Sequence, residues 1–204
     1  MKKINYDVAV VGGGPAGSLA AWTAQEQTGD HVDVVLFERG SEPTANCAGG
    51  VGAPFAKSLG FTPPDEAIVA EVSDMVLASE NNEAALRDGA GDFSDADWKD
   101  DDRDYFGWVV DRQAFDNWML DQADQSGVDV RTRHTVKEVE QNGDVMLDVL
   151  DRESNESLEV HAESVALANG ANWDLAVQAG FDEDTVVPSK SELHMGIQYH
   201  MEDP

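Results

Sequence analysis

Six residues near the start of the chain, Gly12-Gly13-Gly14-Pro15-Ala16-Gly17, satisfy the spacing G-x-G-x-x-G. The chemistry that this spacing serves is pyrophosphate binding by main-chain groups. Gly12 permits a tight turn, Gly14 lets phosphate oxygens approach the backbone, and Gly17 lets the following helix pack closely on the preceding strand. A helix opening at Pro15 and Ala16 offers free N–H groups and partial positive charge to an anion. Glu38 lies 21 residues beyond Gly17, where a carboxylate can accept hydrogen bonds from both hydroxyls of an adenosine ribose. The same carboxylate argues against a 2′-phosphate in that pocket, because two anions would meet there. The turn leaves NAD and FAD both open, and a glycine turn that binds nothing also satisfies it.

Other groupings offer less. The five histidines, at 31, 134, 161, 194 and 200, have no H-x-x-x-H or H-E-x-x-H spacing, so no metal site is expected. Asp100-Asp101-Asp102-Arg103-Asp104 lacks the alternating ligands and the glycine of a calcium loop and reads as a solvated loop. Ser18 stands just inside a helix and is no nucleophile. The tryptophans at 22, 98, 108, 118 and 173 read as core or helix-face anchors.

The elements that must position the glycine turn are legible. Residues 6–11 read as a buried strand, 15–28 as an Ala-rich helix stopped by Gly29, and 32–37 as a second buried strand ending at Glu38. Together they form a βαβ unit. Residues 39–64 are rich in glycine and proline, with a short helix near 53–59. Short strands are expected at 68–78, 83–87 and 106–110, around a polar acidic loop at 88–104. Asp111 is placed to cap a helix with Phe115, Trp118, Met119 and Ala123 on one face and Gly127 at its close. A strand at 128–132 leads to a hairpin of 134–140 and 145–151 around Asn142-Gly143. Strands at 158–161 and 164–168 follow, the second ending at Asn169-Gly170, and 191–201 reads as one last strand.

Composition sets outer limits. The chain has 204 residues, and its 41% hydrophobic content can bury a core, so a wholly disordered chain is not expected. Thirteen Lys+Arg against 41 Asp+Glu give a net charge of −28, which excludes a general phosphate-backbone binder; no nucleic-acid partner is expected. The acids are spread along the chain, so self-repulsion would oppose compaction in dilute salt and a high-salt cytoplasm is the natural setting. An acidic partner-binding protein is the alternative. One cysteine allows no internal disulfide. No stretch has the length and apolarity to span a bilayer, and residues 1–7 carry no apolar leader, so a cytoplasmic location is expected.

The order of motifs resembles the glutathione-reductase-type FAD fold in its hydroxylase-like branch, and more narrowly the geranylgeranyl reductase family. The residues that carry it are Val10 to Ser18, Glu38-Arg39-Gly40, Cys47-Ala48-Gly49-Gly50, and Asp111-Arg112 with Phe115-Asp116. The resemblance implies an α/β fold: a Rossmann-like FAD-binding domain over 1–190 with a parallel sheet, an antiparallel β-meander and an inserted segment at about 60–108. Residues 191–204 would begin a substrate domain. It implies that Gly12, Gly14, Pro15, Ala16 and Gly17 hold the FAD pyrophosphate, with Glu38 and Arg39 at the adenosine. Arg112 would lie near the ribityl or phosphate portion, or else form a surface salt bridge beside Asp111 and Asp116. Cys47, Ala48 and Gly49 would lie near the flavin face, where Cys47 is a candidate catalytic residue or else a small buried thiol. Val136 would offer its backbone to the adenine. Asn169-Gly170 stands where related chains often carry Asp-Gly.

The implied activity is saturation of prenyl C=C bonds in isoprenoid lipid synthesis, with NAD(P)H or ferredoxin as electron donor. The implied partners are a hydrophobic prenyl lipid, peripheral contact with the inner face of the membrane, and a second chain supplying a C-terminal half that the 204 residues lack. A flavin monooxygenase or halogenase of a small hydrophobic substrate, an NAD-dependent dehydrogenase and a non-catalytic remnant are the alternatives.

Overall fold

A computed structural model describes residues 2–44, 47, 49–79, 82–87, 107–189 and 191. The acidic loop at 88–104, Ala48, Trp98 and the tail strand expected over 191–201 lie outside the described residues, Ser191 excepted. The chain divides into two compact units, residues 1–45 with 116–204, and residues 46–115.

The first unit is built on a six-stranded sheet. Its strands are β1 (Lys2–Val11), β2 (Val34–Phe37), β8 (Asp129–Arg131), β9 (His134–Asn142), β10 (Asp144–Asp151) and β11 (Glu156–Leu167), in the order β8-β2-β1-β11-β10-β9. The first four in that order run parallel, and β10 and β9 complete an antiparallel meander. All four residues of β2 are buried, as expected of a strand covered on both faces. Helix α1 (Pro15–Thr28) and the later part of α3 (Arg112–Gln125) cover one face, where Ala21, Leu120 and Ala123 pack on Val10, Val34 and Leu36. Trp22 and Trp118 meet edge to face between these helices, 6.1 Å apart. The other face carries Ala9, Val11, Phe37, Val149 and Val160, capped by Leu175 of α4 (Asp174–Gln178).

Two irregularities decide which side chains face which way. The amides of Asp7 and Val8 both donate to the carbonyl of Asp33, at 3.0 and 3.2 Å. The alternation in β1 slips there, so Ile4 and Tyr6 share a side with Ala9 and Val11 while Val8 lies on the other. A second shift, opposite Asp148 and Val149, lets both Val136 and Val139 of β9 face the core.

In the first unit sequence and structure differ at three places. The strands expected at 158–161 and 164–168 are one strand, β11, paired along most of its length with β1. Beyond Ala162 it has no partner on the β10 side, which leaves Glu163 and Ser164 exposed and makes a continuous strand look interrupted. Strand β1 begins at Lys2 rather than at residue 6, because β11 reaches far enough to pair with that polar start. The short helices α4 and α5 (Glu183–Val186) were not expected; runs of five and four residues carry too little periodic signal.

The second unit holds a three-stranded antiparallel sheet of β3 (Gly50–Gly52), β7 (Gly107–Val110) and β4 (Ile68–Val72), the helix α2 (Ala53–Ser58), and a hairpin of β5 (Asp74–Ser79) with β6 (Asn82–Arg87). Phe61 and Phe115 pack 6.0 Å apart, and Ala56, Ala67 and Trp108 of the same unit are buried.

The slip in β1 also brings Tyr6 across the sheet to β8. Its hydroxyl donates to Asp129 Oδ2, which also accepts Arg131 Nε at 3.0 Å and Nη2 at 2.7 Å. The Arg131 guanidinium stacks over the Tyr6 ring, 5.7 Å from its centre. Burial pushes the Asp129 carboxyl up, but the bonds from Arg131 and Tyr6 outweigh that and hold it below its ordinary value. Burial, followed by the bond to Asp129, pushes the Tyr6 phenol far above its ordinary value, so it stays a donor. A carboxyl depressed on folding contributes stability above its unfolded value, and that contribution is lost as pH falls through the folded one. Asp129→Asn is therefore expected to lower the thermal midpoint at neutral pH, with the difference from the parent shrinking below about pH 4. A difference that persists undiminished into acid would show that the Asp129 charge contributes nothing.

Candidate functional site

The glycine turn joins the end of β1 to α1 in the first unit. Gly12 has φ +107°, a conformation that L side chains rarely adopt, and a Cβ there would lie 2.5 Å from the Ala168 carbonyl oxygen. A Cβ on Gly17 would lie 1.9 Å from the Gly12 carbonyl oxygen, so helix and strand touch through backbone at this point. Gly14 is different in kind: nothing lies within 4 Å of the place its Cβ would occupy. Gly14 is also the N-cap of α1, with no side-chain cap and Pro at the helix start. The first amides of a helix have no partner within it. Open space at Gly14 and an uncapped helix end leave room and main-chain donors for an anion such as a pyrophosphate.

Glu38 stands at the end of β2 and is 7% exposed. Its Oε2 accepts the Gly13 amide at 2.8 Å, and its Oε1 accepts the Gly40 amide at 2.7 Å. A carboxylate has about four acceptor sites, so both oxygens keep capacity for ribose hydroxyls. The main chain around it is equally fixed. The Glu38 amide donates to the Arg131 carbonyl at 2.9 Å, and the His134 amide donates to the Glu38 carbonyl at 2.8 Å. Arg152 Nη1 donates to the carbonyl of exposed Arg39 at 3.2 Å.

The remaining expected residues of this unit are placed as follows. Val136 is a core side chain on the edge strand β9, paired with Val149. Asn169 Nδ2 donates to the Asn172 carbonyl at 2.7 Å, so its amide closes its own turn. Gly170 follows with open space around it.

In the second unit, Gly49 has φ +79°, and a Cβ there would lie 2.3 Å from the Val110 carbonyl oxygen. This close approach sets the neighbouring loop against the start of α3. Arg112 Nη1 donates to Cys47 Sγ, and Cys47 is exposed rather than a buried thiol. Asp111 caps α3 as expected, accepting the Ala114 amide at 2.9 Å.

Sequence reasoning missed Gly13 and Gly40 as partners of Glu38. It also missed Ser18, whose hydroxyl donates to the Gly13 carbonyl at 2.9 Å. Ser18 carried a weak signal, a polar residue buried on the sheet-facing side of an apolar helix. The bond from Gly13 to Glu38 joins residues 25 apart and has none.

The family profile of FAD dependent oxidoreductases matches residues 7–185. A digeranylgeranylglycerophospholipid reductase of Methanoculleus marisnigri is 34% identical, over 98% of this chain and 47% of its own length. A geranylgeranyl bacteriochlorophyll reductase-like structure from Thermoplasma acidophilum superposes with a TM-score of 0.76 at 25% identity, over 92% of this chain and 44% of that one. A myxobacterial chondrochloren halogenase shares the fold, with a TM-score of 0.63 at 24% identity, over 83% of this chain and 38% of its own. The chain spans about half the length of the curated relatives it matches. Among the described residues no helix is long and apolar enough to cross a membrane. With its glycine turn, its fixed acid at the end of β2 and a profile match over most of its length, the chain belongs to the family of FAD-dependent oxidoreductases.

Proposed function

We propose that this chain supplies the FAD-binding part of a reductase that saturates prenyl C=C bonds in isoprenoid lipid synthesis. The observation that carries the FAD-binding part is the pairing, within one unit, of an open cradle at Gly14 with a carboxylate fixed at Glu38. The prenyl substrate rests on the names of the relatives. Gly12, Gly14, Pro15, Ala16 and Gly17 would hold the pyrophosphate and Glu38 the adenosine ribose, with Arg39 beside it. Bound FAD, once reduced by NAD(P)H or a ferredoxin, would supply the hydride that saturation of an alkene requires, with a proton from a donor group or solvent completing the addition.

In the same reading residues 1–190 form the FAD-binding domain, with an inserted segment at about 60–108, and 191–204 begin a substrate domain. The proposed location is cytoplasmic, with peripheral contact to the membrane that holds the lipid.

The test is an absorption spectrum of the chain in molar KCl, alone, with FAD and with NAD. Flavin bands that survive gel filtration are expected. Glu38→Ala should weaken FAD binding by about tenfold or more, the equivalent of one or two hydrogen bonds to a charged group. A folded chain that ignores FAD and binds NAD would replace the proposal with a dehydrogenase reading.

A further inference from the structure

We propose that Gly13 and Gly40 are positioning residues for the adenosine ribose: their amides pin the two oxygens of Glu38, and this clamp sets the selectivity of the site for a ribose bearing its 2′-hydroxyl. The inference rests on the FAD reading above. The spacing G-x-G-x-x-G leaves position 13 free, yet this structure gives it a specific task.

The Gly13 amide reaches Glu38 Oε2 at 2.8 Å and the Gly40 amide reaches Oε1 at 2.7 Å. Each oxygen is held by one N–H, so the carboxylate has a defined plane before any ligand arrives. A buried acceptor held in this way needs no reordering when a hydroxyl binds. The fit is also steric. A Cβ on Gly13 would lie 3.0 Å from Glu38 Cβ, 3.1 Å from Cγ and 3.1 Å from Oε2. Even a methyl group at position 13 must therefore push the carboxylate by a few tenths of an ångström. Hydrogen bonds to charged groups are short and directional, so a displacement of that size acts on the ribose contact directly. Gly13 itself is held from behind, its carbonyl accepting the buried Ser18 hydroxyl at 2.9 Å. The carboxylate, not the turn, is the part free to yield.

The test compares FAD with an FAD analogue whose adenosine carries 2′-deoxyribose, by equilibrium titration in molar KCl. The parent chain should prefer FAD by roughly tenfold, the worth of one hydrogen bond to a charged group. Gly13→Ala should weaken FAD by more than the analogue, which has only its 3′-hydroxyl to bond the displaced carboxylate, and so narrow the preference to about twofold or less. In a Glu38→Ala background Gly13→Ala should have no further effect, since the group it displaces is gone. A purely structural role would weaken both ligands equally in both backgrounds, and that result overturns the proposal, as does an unchanged preference in Gly13→Ala. Should Gly13→Ala fail to give a native circular dichroism spectrum, Glu38→Gln decides. Its amide can accept from only one of the two clamping N–H groups, so a retained preference there also overturns the clamp. A folded parent chain that binds neither flavin nucleotide would instead remove the FAD reading on which the clamp rests.

Discussion

Gly17→Ala is expected to destabilise the native fold strongly, whereas Gly14→Val leaves the fold intact and abolishes FAD retention. The two glycines lie three residues apart in one motif, yet they answer to different constraints. At Gly17 an added Cβ meets the Gly12 carbonyl oxygen at 1.9 Å, the Gly12 carbonyl carbon at 3.0 Å and Ala168 Cβ at 3.3 Å. Two of these three atoms are backbone, in a turn held by the bond from the Gly12 amide to the Phe37 carbonyl at 2.8 Å, so neither side can yield cheaply. Overpacking costs typically 1–3 kcal/mol and more where nothing relaxes, so about 3 kcal/mol is a lower bound here. In a chain of this size that lowers the thermal midpoint by about 6–12 °C, against a total stability of only about 5–15 kcal/mol.

At Gly14 the backbone is extended, with φ −69° and ψ 178°, a region open to any L residue, and beyond its chain neighbours nothing lies within 4 Å of the place a Cβ would occupy. The thermal midpoint of ligand-free Gly14→Val should therefore match the parent within about 2 °C, as for a neutral surface change. Its branched side chain would fill the space a phosphate needs, costing two or more charged hydrogen bonds and roughly a hundredfold or more in affinity. Thermal melts and FAD titrations on both variants separate the roles. Gly17→Ala folding normally, or Gly14→Val binding FAD normally, would refute the corresponding half.

What could be read from the sequence follows from how local each signal is. The βαβ unit was legible because each boundary is set by adjacent residues. Pro15 opens α1, Gly29 closes it, and a run of valines and a leucine marks β2. The turn at Asn142-Gly143 fixed the hairpin of β9 and β10 in the same way. Contacts between distant residues were not legible. Tyr6 meets Asp129 across 123 residues, and only because the alternation of β1 slips at Asp7 and Val8. A strict two-residue period would put Tyr6 on the helix-covered side with Val8 and Val10. The clamp on Glu38 was hidden for a related reason. The pattern identified the acid by its distance from the glycines, but the amides that orient it belong to positions the pattern leaves unspecified.

The salt dependence of folding is the other large expected effect, and the structure shows where it concentrates. The net charge of −28 is repulsive everywhere, but the meander brings like charges into register. Asp148 of β10 is paired with Glu138 of β9 on one side and with Glu159 of β11 on the other. Glu159 has the counter-charge of Lys3 Nζ at 3.4 Å and a hydrogen bond with His161 Nε2 at 2.7 Å. Asp148 Oδ1 is buried and has no hydrogen-bond partner among the described residues. Neighbouring strands are about 4.8 Å apart. That distance lies well inside the screening length of about 10 Å at 0.1 M salt, but beyond the 3 Å or so reached at 1 M. Like charges directly opposite cost about 0.2–1 kcal/mol per pair, so relieving the three such pairs, of which Asp151 with Glu156 is the third, together with the repulsion of the remaining net charge restores a few kcal/mol. The thermal midpoint of the parent chain should rise by on the order of 10 °C between about 0.1 M and molar KCl. Asp148→Asn removes the central charge of the row. It should raise the midpoint by about 2–4 °C in dilute salt and by much less in molar salt, flattening the salt slope. A gain that is equal at both salt concentrations would assign the cost of Asp148 to its buried, unpartnered oxygen and not to its charged neighbours.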